Sequence, residues 1–237
     1  MMRPSEERGQ SSIIGVAVLV TVTVLSIAAL TAAAGTFVAD GAAAANTQRV
    51  ADGLVDVGEG KRTTTVAFSQ GTLRVEPRTI RVVGEGQVVA EVDADALVYE
   101  NRNRRVASLG GVIVDGRPGQ AVVRGSLPVV VGEERLLVDI VALNASGTTA
   151  VGGSAPGSVT VRTNATHEYR ALEPGRYAIA VETATPSAWE RAFEAAGLAH
   201  ERRDFDSDGV PSVVGESPTT LSLDLAVYDL RAVMSRG

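Results

Sequence analysis

The chain has 237 residues, no cysteine and a formal net charge of −6. Disulfides, zinc–thiolate sites and thiol chemistry are therefore excluded, and the acidic balance argues against nucleic acid as a partner, which would need a basic stripe. A single lysine, Lys61, stands against 21 arginines, a bias that fits a GC-rich, halophilic source, although an acidic surface also keeps ordinary proteins soluble.

A short polar head with Arg3, Glu6, Glu7 and Arg8 meets an uncharged run that lasts to Asp40. As a helix the run would be about 45 Å long at 1.5 Å per residue, longer than a bilayer core of about 30 Å. Thr21, Thr23, Ser26 and Thr31 are hydroxyls that a helix tolerates in lipid by bonding back to its own carbonyls. Ala28 and Ala32, and Ala29 and Ala33, make a small-residue face suited to helix packing. The run is read as a single-pass membrane anchor with the N-terminus in the cytoplasm and the rest of the chain outside, as the short head favours. A secretory signal cut near Ala32–Ala34 is the plainer alternative, but the apolar run is longer than an ordinary signal core. The head and helix carry all of their charge at the start, so the remainder bears 20 basic against 26 acidic residues.

Glu7-Arg8-Gly9-Gln10 before a long apolar helix resembles the processing site of archaeal type IV pilins and archaellins. The resemblance implies a leader over residues 1–9 and a prepilin peptidase that cuts the Gly9–Gln10 bond. Arg8 and Gly9 would be its recognition residues. The helix would be kept, and it would pack with those of other pilin-like subunits. Ile14 stands at the fifth mature position, where bacterial members carry Glu and archaeal members commonly do not. Residues Gly71–Glu76, Ala96–Asn101 and Trp189–Phe193 are also similar to stretches of pilin-like surface proteins of haloarchaea.

Beyond the run, Val50, Leu54 and Val57 fall on one helical face. One helix is therefore expected over residues 10–57, ending near Gly58-Glu59-Gly60, with a flexible stalk as the alternative to its exposed part. From Thr63 the period changes to two. Strands are expected at 63–68, 71–75, 79–83, 87–92, 96–100, 104–109, 127–131 and 136–143, with turns at Gly84-Glu85-Gly86, Asn101-Arg102-Asn103 and Gly132–Arg135. Short, close, Val-rich strands without alternating helices predict an antiparallel meander. A Gly/Ser/Thr/Ala stretch over 145–158 reads as a flexible loop. Strands at 159–163 and 176–182 follow. Thr185-Pro186 opens a short helix over 186–197, with Trp189, Phe193 and Ala196 on one face and Gly197 as its stop. The last strand is expected at 220–229. The fold class is thus α+β: a long transmembrane or pilin-type helix, then a mainly antiparallel β domain over 63–237 with one short helix.

Asp204-Phe205-Asp206-Ser207-Asp208-Gly209 has the D-x-D-x-D-G spacing of calcium loops, so Asp204, Asp206 and Asp208 are candidate ligands for the one cofactor the chain suggests. Position 12, where a bidentate Glu is needed, is Gly215. The competing reading is a hairpin turning at Asp208-Gly209. Asn144-Ala145-Ser146 and Asn164-Ala165-Thr166 are N-glycosylation sequons. His167 and His200 each lie beside a glutamate, but neighbours in a strand face opposite ways. No nucleophile elbow, zinc-protease, phosphate-loop or dinucleotide motif occurs in the sequence, so no enzyme is expected. Trp189 reads as a core anchor. The sequence therefore predicts a pilin-like, membrane-anchored surface protein with a structural or adhesive role. Its partners would be membrane lipid, the prepilin peptidase and other subunits. An anchored module binding calcium or glycan is the alternative.

Overall fold

A computed structural model describes residues 7–117 and 119–237, with side chains described for 21–27, 30–31, 41–117 and 119–237. The chain divides into two compact units, one up to Ala45 and one from Asn46 to Gly237. Helix α1 runs Glu7–Gly58, so its last turns belong to the second unit. In the first unit the Thr31 hydroxyl donates to the Ile27 carbonyl at 2.8 Å, the back-bonding expected of a hydroxyl within a helix.

Among the described residues no helix is long and apolar enough to cross a membrane. The described side chains of the run are Thr21–Ile27, Leu30 and Thr31, and four of these nine are hydroxyls, Thr21, Thr23, Ser26 and Thr31. The reading as a single-pass protein of the cell membrane falls with the spanning helix. The α+β class led by a transmembrane helix is replaced by a mainly β chain, with sixteen strands among the described residues.

The strands, numbered along the chain, form three sheets. The first runs β1 (Thr63–Phe68), β12 (Gly157–Gly175), β16 (Leu221–Arg236), β10 (Arg135–Gly147), β9 (Val129–Val131). The second runs β11 (Ala150–Gly153), β2 (Gly71–Glu76), β5 (Ala96–Asn101), β6 (Arg104–Leu109), β7 (Val112–Gly116), β8 (Val122–Arg124). The third runs β14 (Ala199–Arg203), β15 (Ser212–Glu216), β13 (Tyr177–Glu182), β3 (Thr79–Gly84), β4 (Gln87–Asp93). Pairing is antiparallel except between β10 and β16, which run parallel from Arg135↔Ser222 to Gly147↔Met234. A parallel pair needs a long crossover, and everything from β11 to β15 supplies it. The stretch read as a flexible loop over 145–158 is mostly strand: the end of β10, β11 and the start of β12. Its small residues suit close packing. A Cβ on Gly152 would come within 2.4 Å of the Thr72 hydroxyl on β2.

The second sheet lies between two cores. Along β5, Ala96 and Val98 join one apolar cluster and Leu97 and Tyr99 the other. Strand β7 divides in the same way, with Val112 and Val114 on one side and Ile113 on the other. Alternate strand residues point to opposite faces, so a run of consecutive buried residues marks a sheet covered on both sides. The expected α1 face (Val50, Leu54 and Val57, with Ala51) is buried in the second cluster beside Leu73, Leu97, Tyr99 and Val106. Helix α2 (Pro186–Ala195) serves the first cluster with Ala188, Trp189 and Phe193. Thr185 holds the N-cap position without a side-chain cap bond, and Ala196, expected on the buried face, is exposed.

Leu54 is fully buried and Val55 beside it is 42% exposed. Leu54→Ala should therefore lose about 2–5 kcal/mol of stability, and Val55→Ala should stay within about 0.5 kcal/mol of the parent, both read from urea melts. Equal effects would mean that the end of α1 is not part of the core.

Candidate functional site

The expected processing residues Arg8, Gly9 and Gln10 lie within α1 as backbone. Their side chains, and residues 1–6 of the expected leader, lie outside the described residues.

Asp204, Asp206 and Asp208 are close in sequence but spend their carboxylates separately. Asp204 accepts from the Ser207 and Gly209 amides at 2.8 and 3.1 Å, and Asp208 accepts from the Val210 amide at 2.9 Å. These bonds close a turn in which Ser207 and Gly209 both have positive φ, 56° and 85°. The turn joins β14 to β15, which pair antiparallel, so the competing hairpin reading describes the observed backbone. Asp206 instead forks onto Arg81, at 2.9 and 2.7 Å from the same guanidinium nitrogen. Arg81 is 4% exposed, holds Glu91 at 2.8 Å through Nε and lies over the Phe205 ring at 5.1 Å. Among the described residues no three His, Cys, Asp or Glu side chains are grouped to hold a metal. Gly215, at the calcium motif's twelfth position, is where α2 rests on β15. A Cβ there would come within 2.9 Å of the Phe193 ring.

Asp206 and Asp208 also line a shallow cleft of about 510 Å³ with Asp93, Asp95 and Glu182, around Arg78. Glu182 is buried, with Arg78 3.9 Å away. Burial raises the pKa of its carboxyl above the ordinary 4.5. Asp208 and Asp206 push the same way, and Arg78 opposes them only in part.

Beside the cleft lies a guanidinium–carboxylate seam across β2, β5 and β6. Arg74 holds Glu100 through two bonds of 2.6 and 3.1 Å and reaches Glu76 at 2.6 Å. Arg105 bridges the same two acids at 2.6 and 2.9 Å, and Arg78 adds a contact of 2.7 Å to Glu76. Burial alone would raise Glu76, but Arg105, Arg78 and Arg74 outweigh it and hold the carboxyl below 4.5. Arg74, helped by Arg105, lowers Glu100 as well, against partial burial. None of these five residues is a candidate site residue by sequence alone. The available signal was Arg74-x-Glu76, opposite charges two apart, which strand β2 places on one face, with Arg78 just beyond its end. Glu100 and Arg105 face each other across the β5–β6 register, a long-range fact the sequence does not carry.

Both sequon asparagines are exposed in strands. Asn144 on β10 donates to Asp229 at 2.8 Å, and Asn164 lies on β12. His167 on β12 stands 6.4 Å from the Tyr228 ring, and His200 lies on β14, so the histidines occupy different sheets.

A family model matches residues 8–233, which covers α1 together with the whole β unit up to β16. The chain belongs to DUF7289, a family of unknown function. No curated protein and no solved structure matches it.

The carboxyls shift in opposite directions, so acid has opposite effects on them. Glu76 and Glu100 have lowered folded pKa values, so their stabilisation is present above 4.5 and is lost as pH falls through those values. Arg105→Met should cost about 1–3 kcal/mol at neutral pH, as expected for losing bonds to buried charges, and should move the acid-unfolding midpoint upward. Glu182 has a raised folded pKa, so its favourable contribution is complete below 4.5 and lost as pH rises through the folded value. Glu182→Gln should therefore stabilise the protein at pH 7 and make little difference at pH 4. Urea melts across that range measure both. A Glu182→Gln gain equal at the two pH values would contradict the assignment.

Proposed function

We propose that this protein is a pilin-like filament subunit of the archaeal type, with α1 as the assembly element and the β unit in a structural or adhesive role. The observation that carries the reading is Arg8-Gly9-Gln10 set at the start of a helix that runs unbroken from Glu7 to Gly58. Cleavage of the Gly9–Gln10 peptide bond by a prepilin peptidase would free an N-terminus on that helix without removing it.

Three further observations support the reading. Val22, Val24, Leu25, Ile27 and Leu30 of α1 are between 55% and 73% exposed. Apolar surface of that kind is driven to leave water, and matching helices of other subunits offer the same surface in return. The other end of α1 is part of the β unit's core through Val50, Leu54 and Val57, so force on the helix reaches the sheets through packed side chains. The family match covers the helix and the sheets together, as expected if the two work as one device.

Mass spectrometry of the mature protein and electron microscopy of the producing cells test the reading together. The expected results are a chain that begins at Gln10 and filaments that disappear on Gly9→Val. A mature chain that begins at Met1 or beyond Ala34, or filaments indifferent to Gly9→Val, would contradict it. An intact β unit without filaments would point instead to a stand-alone binding module.

A further inference from the structure

Strand β12 has 19 residues, but β1 covers only its first part, from Gly157↔Phe68 to Arg162↔Thr63. The last contact on that side is the Thr163 amide, which donates to the Arg62 carbonyl at 3.2 Å. From there to the irregularity after Leu172 the strand pairs with β16 on one side only, and among the described residues no strand pairs with the other. All residues from Asn164 to Ala171 are exposed. The open edge, Thr163–Leu172, is about 34 Å long at 3.4 Å per residue. It has no proline, and its ladder to β16 has no bulge before Leu172. Such edges are usually blunted because their free amides and carbonyls template another strand.

The parity of the edge is fixed. In an antiparallel ladder a residue's amide and carbonyl point to the same side, and the next residue's to the other. Thr163 donates outward, so His167, Tyr169 and Ala171 also present their amides and carbonyls to the open side. A second strand must therefore set its own outward residues against these.

We propose that this edge pairs with the same edge of a second copy, antiparallel, about a two-fold axis at Tyr169. In that register Tyr169 faces Tyr169 of the other copy, and His167 and Ala171 face each other, giving about six hydrogen bonds from three reciprocal pairs. Glu168 then faces Arg170 of the other copy, twice by symmetry. Moving the axis by one residue either way puts Glu168 against Glu168 or Arg170 against Arg170, and like charges directly opposite destabilise a pair. Centring on His167 or Ala171 preserves the hydrogen bonds but pairs no charges. A relative shift of one residue between the strands opposes outward residues to inward ones and loses the bonds. Within one copy Glu168 and Arg170 already form an exposed ion pair at 2.8 Å, so pairing exchanges that contact for two across the interface. The charges thus select the register, and the backbone supplies the attraction.

The chain has no cysteine of its own, so a single introduced thiol reports the contact. In the full-length chain, Tyr169→Cys should form a disulfide-linked dimer under mild oxidation, because directly opposite Cα atoms fall within disulfide reach. A short bismaleimide should link the same pair without the disulfide's angular demands. Thr166→Cys should give neither product, since the two thiols would sit about 20 Å apart. Arg170→Glu in the Tyr169→Cys background should lower the cross-linking rate roughly two- to tenfold, and adding Glu168→Arg should restore it. Equal cross-linking at 166 and 169, none at 169, or no effect of Arg170→Glu would overturn the proposal. Thr166→Cys separates this contact from any association through α1, so this result and that on filament formation can fail independently.

Discussion

The second unit depends on covering both faces of its middle sheet. Strands β5, β6 and β7 carry apolar side chains in both directions, and no sheet of that kind is stable with one face in water. The third sheet, α2 and one part of the first sheet bury one face, while Val66, Phe68, Val159 and Val161 of the first sheet pack on the opposite one. That opposite face is also closed in part by the end of α1, which contributes Val50, Ala51, Leu54 and Val57. Buried aliphatic side chains are worth about 1.5–3 kcal/mol each, so this helix end is comparable in weight to the unit's net stability. Polar contacts then fix its position. Asn46 donates to the Tyr99 hydroxyl and accepts from the Ser69 amide at 2.8 Å, while Tyr99 donates to the Gln70 carbonyl at 2.5 Å. The corner from β1 to β2 is thus tied to the helix and the middle sheet at one point. It closes tightly enough that a Cβ on Gly71 would lie 2.5 Å from the Glu100 carbonyl oxygen.

Charge is organised around that frame. On the side away from the helix, three arginines and two glutamates form a seam on the middle sheet, with Glu182 and four aspartates in the neighbouring cleft. Guanidinium forks suit such crowding because each satisfies two carboxylates in one plane. The Asp204–Gly209 turn joins the same system through Asp206, which ties the β14–β15 hairpin to Arg81 on β3 within the third sheet.

Much of this was legible in the sequence where the information is local. Val50, Leu54 and Val57 lie on one helical face, Thr185-Pro186 marks the start of α2, and Trp189 reads as an anchor because large aromatics mostly serve packing. The continuous apolar run Ala96–Tyr99 already carries the sign of a doubly covered strand. Long-range facts were not legible. The parallel β10–β16 pair joins segments separated by five strands and a helix. The seam depends on a register that brings Glu100 to Arg105 and β2 beside β5. Small residues over 145–158 resemble a loop because glycine and serine have weak strand preference, yet packing against β2 and β16 overrides it. The spanning helix is an expectation of another kind: it rests on length and lack of charge, and among the described residues no helix is long and apolar enough to cross a membrane.

Native-state hydrogen exchange tests most directly whether the end of α1 is a core element of the β unit and not an appended helix. Amides from Val50 to Val57 should exchange only through global unfolding, with the same opening free energy as those of β5. Exchange of these helix amides at a much lower opening free energy than β5, in a folded protein, would contradict it.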